Sequence, residues 1–362
     1  MSESSEQQAA SRRGEPITIA VDAMGGYKAP DEIVAAVARL SKHEPVDSAV
    51  YFSLVGDEAE LTELLVATSH NPERIHVHHA PTVVGMGEPA RSGLVDKPNA
   101  SIIEACQLCA QGHADAVVTA GNPGAAVLSA SRGFELLPGV HRAALASVYP
   151  TPRERGGQND RFALLLDVGA SLRADARDLV TFALMGTAYA RIVSDNARPR
   201  VALLSNSRES TLGIEPIKDA YGILRDHPEV HFYGNIEGHD IPRGLVDVIV
   251  CEGYVGDVVI KILEGVSEAA FELARSAYQK KLVWKAGLKL LSGGLNRLKQ
   301  LTDFEEYGGA PLLGIDGVMI LAHPRSGRTA MENSIKLAIK NVRADLPRVI
   351  AGVLQEEPTN PS

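Results

Sequence analysis

The stretch ITIAVDAMGG, residues 17–26, decides the fold. It is a short, apolar and partly β-branched run that leads directly into an acidic residue and two glycines. This order predicts a buried strand, Ile17–Val21, that ends in a tight turn, because glycine adopts backbone conformations that other residues avoid. The amphipathic stretch Asp31–Leu40 then predicts a helix. The chain therefore begins with the βα unit that is typical of a parallel sheet.

The same alternation continues along the chain. Further strand candidates are Val50–Val55, Ile75–His78, Ala116–Thr119, Ala143–Val148, Ala163–Asp167, Val201–Leu204, Val230–Gly234, Val246–Cys251 and Val318–Ala322. Amphipathic stretches between them, such as Ala100–Gln111 and Ala174–Val193, predict helices. The prediction is an α/β fold with a mostly parallel sheet and helices on both faces. One domain is expected over residues 15–345, between a polar N-terminal tail, 1–14, and a C-terminal tail, 346–362.

Composition excludes several classes of protein. The 362 residues carry a net charge of -9, which disfavours a nucleic-acid-binding surface. The chain has three cysteines, an odd and small number that argues against a disulfide framework and for a reducing compartment. Residues 1–14 contain no apolar core of a signal peptide, and no apolar run reaches the length of about 18 residues that spans a bilayer. A cytoplasmic protein is expected.

Glycine-rich turns follow several of the strand candidates. These turns are Asp22–Gly26, Thr119–Gly124, Asp167–Gly169, Gly234–Gly238 and Glu252–Gly256. Ligands of open α/β sheets bind at the carboxyl ends of strands, where glycine lets the backbone approach them closely. The set predicts a shared cleft that holds an anion, whereas any single turn by itself is more typical of an ordinary tight loop.

An ordered series of sequence blocks resembles the PlsX-type phosphate acyltransferase family. The blocks are AVDAMGG (Ala20–Gly26), VVGMGEPA (Val83–Ala90), TAGNPGA (Thr119–Ala125), LLLDVGA (Leu164–Ala170), GNIEG (Gly234–Gly238), EGYVGDVVIK (Glu252–Lys261) and YGGAPLLGI (Tyr307–Ile315). The resemblance implies a fold similar to phosphotransacetylases and isopropylmalate dehydrogenases, a homodimer, and transfer of a fatty acyl group from acyl carrier protein to inorganic phosphate. The acyl phosphate formed would enter phospholipid synthesis. The resemblance calls for no metal, and no cofactor is expected.

Acyl transfer to phosphate requires groups that bind one anion and stabilise a second developing charge, a task for backbone N–H groups and polar side chains near strand ends. We predict catalytic roles for Asn122, Lys261 and His323, as a hydrogen-bond donor, an anion partner and a proton donor. Predicted substrate-binding residues are Asp22, Met24, Gly25, Gly26, Lys28, Lys97, Ser101, Gly121, Gly124, Asp167, Gly169, Asn235, Gly256 and Asp257.

Several polar positions depart from the family pattern. Tyr27 and Lys28 replace an Asp-His pair, and Leu212 stands where the family has a lysine that is thought to be catalytic. Leucine carries no charge and donates no hydrogen bond. Three alternatives follow: an active enzyme whose sequence has drifted, a relative with another acyl donor or acceptor, and a carrier-binding protein that has lost the chemistry. Arg208, Lys28 or Arg325 would be the replacement for the missing charge.

Residues 278–301 form a basic, amphipathic segment that contains the only tryptophan, Trp284. Such a segment can lie on an anionic membrane, bind an acidic carrier protein through charge, or pack as a helical hairpin at a dimer interface. A dehydrogenase that uses a nicotinamide cofactor is disfavoured, because no GxGxxG follows the first strand. The expected partners are acyl carrier protein or acyl-CoA, inorganic phosphate and a second copy of the chain.

Overall fold

The structure is a computed structural model that describes residues 15–42, 49–156, 160–280 and 308–355. Within these ranges, no helix combines the length and the apolar composition that are needed to cross a membrane. The predicted tail 1–14 lies outside the described residues. So does the predicted basic segment, except for residues 278–280, which end a helix.

The described residues form one sheet of eleven strands. In chain order the strands are β1 (Ile17–Asp22), β2 (Val50–Gly56), β3 (Ile75–His79), β4 (Ala116–Thr119), β5 (Ala144–Arg155), β6 (Asp160–Leu166), β7 (Arg200–Leu204), β8 (His231–Ile236), β9 (Val248–Val250), β10 (Ala310–Leu313) and β11 (Val318–Leu321). Across the sheet their order is β3-β2-β1-β4-β11-β10-β5-β6-β9-β7-β8. Each predicted strand is found. The largest difference is in β5, which continues to Arg155 instead of ending at Val148.

The helices lie between the strands, as the alternation predicts. They are α1 (Asp31–Ser41), α2 (Glu58–Ala67), α3 (Ala90–Asp96), α4 (Ser101–Ala110), α5 (Pro123–Gly133), α6 (Ala176–Val193), α7 (Glu215–Arg225), α8 (Gly253–Lys280), α9 (Arg328–Arg343) and α10 (Leu346–Gln355). A 3₁₀ helix spans Gly238–Arg243. The helix α10 occupies the first ten residues of the segment assigned to a C-terminal tail.

Local sequence explains where the helices next to the strand ends begin. Asn122 caps α5 by accepting a hydrogen bond from the Ala125 N–H, and Pro123 fits the first turn because its missing N–H would have no partner there. Asp175 and Asp178 form a reciprocal capping box at the start of α6. These caps satisfy backbone donors that have no partner inside the helix.

The two sides of the sheet run in opposite directions. Strands β3, β2, β1, β4 and β11 are mutually parallel, and so are β6, β9, β7 and β8. The strand β10 is antiparallel to both β11 and β5, and β5 is antiparallel to β6. The sequence does not predict β10, because its four residues include a proline and show no alternation. The reversal places the carboxyl ends of β1 and β4 at the opposite edge from those of β6 and β9.

Apolar clusters on both faces hold the helices to the sheet. On one face, a continuous cluster packs α4, α5 and α8 against residues such as Ala20, Val117 and Leu165. The other face has two clusters: α1 and α9 cover β1, β2, β4 and β11, while α6, α7 and α10 cover β6, β7 and β9. Neighbouring residues of a strand point to opposite faces, so strands buried on both faces are apolar throughout. The predicted fold class is confirmed.

Candidate functional site

A cleft of about 480 Å³ lies on one face of the sheet, where the two halves meet. Its floor comes from β5, β10 and β11, and its walls come from α5, α8, the start of α9 and the turns after β6 and β11. The residues that line it are Met86, Pro123, Val127, Leu145, Ser147, Val148, Val168, Gly169, Ser171, Leu172, Gly253, Tyr254, Asp257, Ile260, Lys261, Glu264, Gly309, Ala310, Leu321, Ala322, His323, Pro324, Ser326, Ala330 and Ser334. The volume lies within the range of small-molecule sites.

One wall of the cleft carries His323 and Ser326, between the end of β11 and the start of α9. The Nδ1 atom of His323 accepts a hydrogen bond from the Arg325 N–H at 3.1 Å. This bond assigns the neutral ring the tautomer that carries its proton on Nε2. Burial lowers the pKa of His323, and the nearby Arg325 charge lowers it further. The imidazole is therefore held neutral, with an N–H donor on Nε2.

The helix α8 forms the opposite wall. Asp257, Lys261 and Glu264 lie on one face of this helix because they are spaced by four and three residues. Lys261 Nζ pairs with Asp257 Oδ2 at 2.6 Å, and the Lys261 side chain remains 68% exposed. Burial raises the pKa of Glu264, and the neighbouring Glu268 carboxylate raises it further. The wall thus presents one cation, the carboxylate of Asp257 that pairs with it, and a second carboxyl group whose pKa is raised.

Apolar side chains line the rest of the cleft. Val127, Leu145, Val148 and Ile260 contribute from both walls and from the floor. Tyr254 and Leu172 lie at the margin and are largely exposed. A cleft that is polar at one part and apolar at another can hold a ligand that has a charged head and a hydrocarbon chain.

The first glycine-rich turn is organised around Asp22, which is buried beside the cleft. Asp22 Oδ2 accepts a hydrogen bond from the Thr119 hydroxyl at 2.7 Å, and Thr119 Oγ1 accepts one from the Gly121 N–H at 2.9 Å. Burial raises the pKa of Asp22, while Ser101, Thr119 and backbone N–H groups oppose the increase. Ser101 Oγ is close enough to lower this pKa but makes no hydrogen bond of good geometry.

Gly25 and Gly121 form the point where two turns cross. A Cβ on Gly25 would lie 2.5 Å from Asp22 Oδ2 and 2.8 Å from the Gly121 Cα. Gly26 has a φ of +116°, a conformation that favours glycine, and the next residue donates its N–H to the Pro324 carbonyl. The first turn therefore supports the loop that carries His323 without lining the cleft itself.

The turn after β6 is organised around Asp167, which is completely buried. Its Oδ1 accepts hydrogen bonds from the N–H groups of Leu145, Gly169 and Ala170 at 2.9–3.0 Å. Its Oδ2 accepts one from the Ser171 N–H at 2.7 Å. Burial raises the pKa of this carboxyl, and the hydrogen bonds oppose the increase.

Asn122 and Lys97 hold the loop that carries Met86. The Asn122 amide donates hydrogen bonds to the Gly85 and Glu88 carbonyls at 3.1 and 2.9 Å. Lys97 Nζ donates to the Val83 carbonyl at 2.8 Å and pairs with Glu88 Oε1 at 2.6 Å. Both amide hydrogens of Asn122 are thus used within the protein, and its side chain anchors a loop. A catalytic role for Asn122 stays a prediction.

The loop 205–213, where the family lysine is expected, does not line the cleft. Arg208 forms a two-point ion pair with the buried Asp240, at 2.6 and 3.2 Å, and Leu212 is 53% exposed. Asn235 lies under this loop, where its amide makes a long hydrogen bond of 3.4 Å to the Glu209 carbonyl. Arg208 is therefore engaged in an ion pair within the protein. Of the other candidate replacement cations, Arg325 lies beside His323, which lines the cleft.

The structure brings only some of the predicted site residues together. His323, Lys261, Asp257 and Gly169 line the cleft. Asp22, Met24, Gly25, Gly26, Ser101, Gly121, Gly124, Asp167 and Gly256 lie in the turns and helix ends behind it, whereas Lys28, Lys97 and Asn235 lie elsewhere. The prediction of one cleft shared by all glycine-rich turns is therefore corrected: Pro123, Gly169 and Gly253 bring three of the five turns to the cleft, whereas no residue of Asp22–Gly26 or Gly234–Gly238 lines it. Substrate contact for each residue stays a prediction.

Sequence reasoning missed Ser326, Ser171 and Glu264, which also line the cleft. Ser326 stands in the block that departs from the family pattern, and Ser171 follows directly after the block with Asp167. Their proximity to quoted motifs is a signal that would have indicated them. Glu264 has no such signal, since its half-buried position results from how α8 packs.

Comparison with known proteins places the chain among acyl-transfer enzymes. A family model described as fatty acid synthesis protein matches residues 17–348. A phosphate acyltransferase from Dictyoglomus thermophilum is 36% identical over 333 residues, which cover 92% of this chain and 96% of the relative. A phosphate acyltransferase from Myxococcus xanthus is 38% identical over 349 residues, which cover 95% and 96%.

The fold is also similar to that of solved structures. A phosphotransacetylase from Streptococcus pyogenes matches with a TM-score of 0.60 and 15% identity, covering 95% of this chain and 99% of the other. A phosphotransacetylase from Staphylococcus aureus matches with a TM-score of 0.57 and 14% identity, covering 94% and 99%. The expected likeness to the phosphotransacetylase fold is confirmed.

Proposed function

The chain belongs to the fatty acid synthesis protein family of phosphate acyltransferases, and from this premise we propose that it transfers a fatty acyl group from acyl carrier protein to inorganic phosphate. It is an acyltransferase, and its relatives transfer acyl groups to phosphate. The proposal adds the donor and the use of the product, acyl phosphate, in phospholipid synthesis. The observation that carries it is the cleft in which Lys261, His323 and Ser326 lie next to apolar side chains.

The cleft offers separate places for the two substrates. Phosphate fits between Lys261 and Ser326, where a cation and a hydroxyl favour an anion. The site is close to the N-terminus of α9, whose Arg328 N–H already donates to Glu32 Oε2 at 2.9 Å. The acyl chain fits along Val127, Leu145, Val148 and Ile260. This arrangement holds the phosphate oxygen near the thioester carbon, and such proximity supplies part of the roughly 7–11 kcal/mol that orientation can remove from a barrier.

The reaction requires one net proton transfer. A phosphate oxygen forms a bond to the thioester carbon, the carbon–sulfur bond breaks, and the proton of the phosphate hydroxyl ends on the thiolate. The neutral His323 ring donates its Nε2–H to the carbonyl oxygen as negative charge develops there. This role replaces the predicted one of proton donor, because a neutral imidazole donates hydrogen bonds but does not release a proton readily.

Glu264 is suited to carry the proton from phosphate to thiolate. It lines the cleft one helical turn from Lys261, and its raised pKa brings it closer to the pH at which the reaction runs. As a carboxylate it accepts the phosphate proton, and as an acid it returns that proton to the leaving sulfur. Asp257 pairs with Lys261 and keeps its ammonium at the edge of the cleft.

A trapping assay tests the proposal. The purified protein is incubated with long-chain acyl carrier protein and phosphate, and acyl phosphate is converted to a hydroxamate with hydroxylamine. Phosphate-dependent hydroxamate is expected. Loss of thioester that needs another acceptor would instead support a relative with changed substrates, and tight carrier binding without turnover would support a carrier-binding protein. Acyl-CoA in parallel identifies the preferred donor.

A matched pair of variants ties the activity to the cleft. Lys261→Gln removes the cation from the cleft and should raise the KM for phosphate by about ten-fold, equivalent to roughly 1.4 kcal/mol of binding. Lys218→Gln removes a partly buried lysine from α7, where it pairs with Glu215 outside the cleft, and should leave the KM unchanged. Equal effects of the two variants on the KM would show that Lys261 does not belong to the phosphate site.

We further propose a cytoplasmic homodimer that contacts the membrane through residues 278–301. The support is the basic and amphipathic composition of this segment, since residues 281–301 lie outside the described part of the chain. Sedimentation with vesicles that contain anionic lipid, compared with neutral vesicles, tests the contact. If the protein bound neither kind of vesicle, the result would favour a segment that binds an acidic carrier protein or packs at a dimer interface.

A further inference from the structure

We propose that Asp167 is a positioning residue that fixes the first turns of α8, and through them the place of Lys261 in the cleft. The inference rests on the proposed function for its activity readout, but the geometry of the turn carries it. Asp167 touches no part of the cleft surface, since it is completely buried. It therefore acts through the residues that it holds.

The carboxylate organises the turn after β6. Its two oxygens accept four backbone N–H hydrogen bonds, from Leu145, Gly169, Ala170 and Ser171, at 2.7–3.0 Å. Three of these donors belong to consecutive residues of the turn, so the turn wraps around the carboxylate as a loop wraps around a bound anion. The protein's own side chain thus fills the anion-binding position that the glycine pattern indicated.

The backbone of Asp167 joins this turn to the start of α8. Its N–H donates to the Cys251 carbonyl at 3.0 Å, and its carbonyl accepts from the Cys251 thiol at 3.2 Å. Ser171 Oγ accepts a hydrogen bond from the Gly253 N–H at 3.3 Å. Cys251 and Gly253 immediately precede and begin the helix, so its first turn is attached to the turn around Asp167.

Glycines let the helix approach this closely. A Cβ on Gly253 would overlap Asp167 Oδ2 and the Ser171 carbonyl, and a Cβ on Gly256 would overlap the Asp167 carbonyl. The next residue, Asp257, lies near Gly169 and pairs with Lys261 at 2.6 Å. A continuous set of contacts therefore runs from the buried carboxylate to the cation of the cleft.

A neutral amide cannot replace the carboxylate in this geometry. In Asp167→Asn, one oxygen can still accept hydrogen bonds, but the amide nitrogen would face an N–H group that needs an acceptor. The turn and the first residues of α8 should then separate. A displacement on the order of 1 Å is enough to lower catalysis by up to about 100-fold when it moves a group that holds a substrate.

The test compares Asp167→Asn with Asp178→Asn. Asp178 is also buried, belongs to the capping box of α6 and pairs with Arg142, but it does not line the cleft. Because Asp167 acts through Lys261, Asp167→Asn should raise the KM for phosphate by up to about ten-fold, the change expected when Lys261 itself is removed, with a smaller effect on kcat. It should also speed hydrogen exchange in residues 253–261. Asp178→Asn should change neither the KM for phosphate nor the exchange rate of residues 253–261, even if it lowers Tm as much as Asp167→Asn does.

A milder variant keeps the test valid if Asp167→Asn does not fold. Ser171→Ala removes the hydroxyl that accepts the Gly253 N–H, and it should change exchange in residues 253–261 in the same direction. An unchanged exchange rate and KM in the folded variants would overturn the inference. Absence of phosphate-dependent turnover in the unmodified protein would instead overturn the proposed function, while the exchange measurement would still decide the role of Asp167.

Discussion

Asp22 ends β1 and Asp167 directly follows β6, both lead into a turn that contains glycine, and both are buried, yet the protein holds them in different ways. Asp22 has a short hydrogen bond from the Thr119 hydroxyl, and its contact with the Met24 N–H is long, at 3.3 Å. Asp167 accepts four backbone N–H groups at 2.7–3.0 Å. One carboxyl is supported mainly by a side-chain hydroxyl and the other by backbone N–H groups, three of them from its own turn.

The difference separates two uses of the same sequence signal. The Asp22 turn braces the loop of His323 from behind, through Gly26 and the hydrogen bond from Tyr27 to the Pro324 carbonyl. The Asp167 turn lines the cleft itself and carries α8. Backbone donors are fixed in direction, whereas a hydroxyl rotates to suit its partner. We therefore expect the Asp167 region to tolerate change much less than the Asp22 region.

The largest expected effect is that of Gly256→Ala. The new methyl group would overlap the Asp167 carbonyl, which is backbone and cannot rotate away, so α8 must shift. We expect unfolding free energy to fall by about 3 kcal/mol or more. Gly265→Ala on the same helix is the control, because nothing lies within 4 Å of its added Cβ. It should stabilise by about 0.5–1 kcal/mol, and chemical denaturation measures both.

A smaller effect should distinguish the two aspartates directly. Asp167→Asn leaves a buried N–H without an acceptor and should cost about 1–3 kcal/mol. Asp22→Asn can keep the hydrogen bond to Met24 and donate to Thr119 Oγ1, while it removes the cost of ionising a buried carboxyl. Its unfolding free energy should therefore stay within about 1 kcal/mol of the unmodified protein. Equal losses in the two variants would contradict the comparison.

The pH dependence of the unfolding free energy should show the titration of Asp22. Burial raises its pKa in the folded state above the value of about 3.9 in the unfolded chain. The folded state then binds more protons between these two pKa values, so stability falls as the pH rises through this window and levels off above it. The unfolding free energy of the unmodified protein minus that of Asp22→Asn should therefore decrease as the pH rises above about 4. A difference independent of pH would show that Asp22 ionises normally.

The sequence predicts the strands around these aspartates well, because ITIAVD and ALLLD are apolar runs that end in an acidic residue. It does not predict β10, where the strand direction reverses, because the four residues of this strand include a proline and show no alternation of apolar and polar residues. It does not predict the hydrogen bonds from the Asn122 amide to the Gly85 and Glu88 carbonyls, because these partners are more than 30 residues away in the chain. The half-buried position of Glu264 likewise depends on tertiary packing. Local pattern gives strands and turns, whereas the lining of the cleft depends on contacts between distant segments.

The smallest expected effect is that of Leu212→Lys, which restores the residue type that the family resemblance places there. Leu212 is exposed in a loop outside the cleft, so its replacement should change unfolding free energy by less than about 0.5 kcal/mol. If Lys261 supplies the cation for phosphate, the added lysine should also leave the KM for phosphate within about two-fold of the original, a change of roughly 0.4 kcal/mol. A large gain in activity would mean that the loop 205–213 approaches the substrate during turnover. That outcome would move the centre of the chemistry from the α8 wall, which Asp167 holds, to a region that neither aspartate supports.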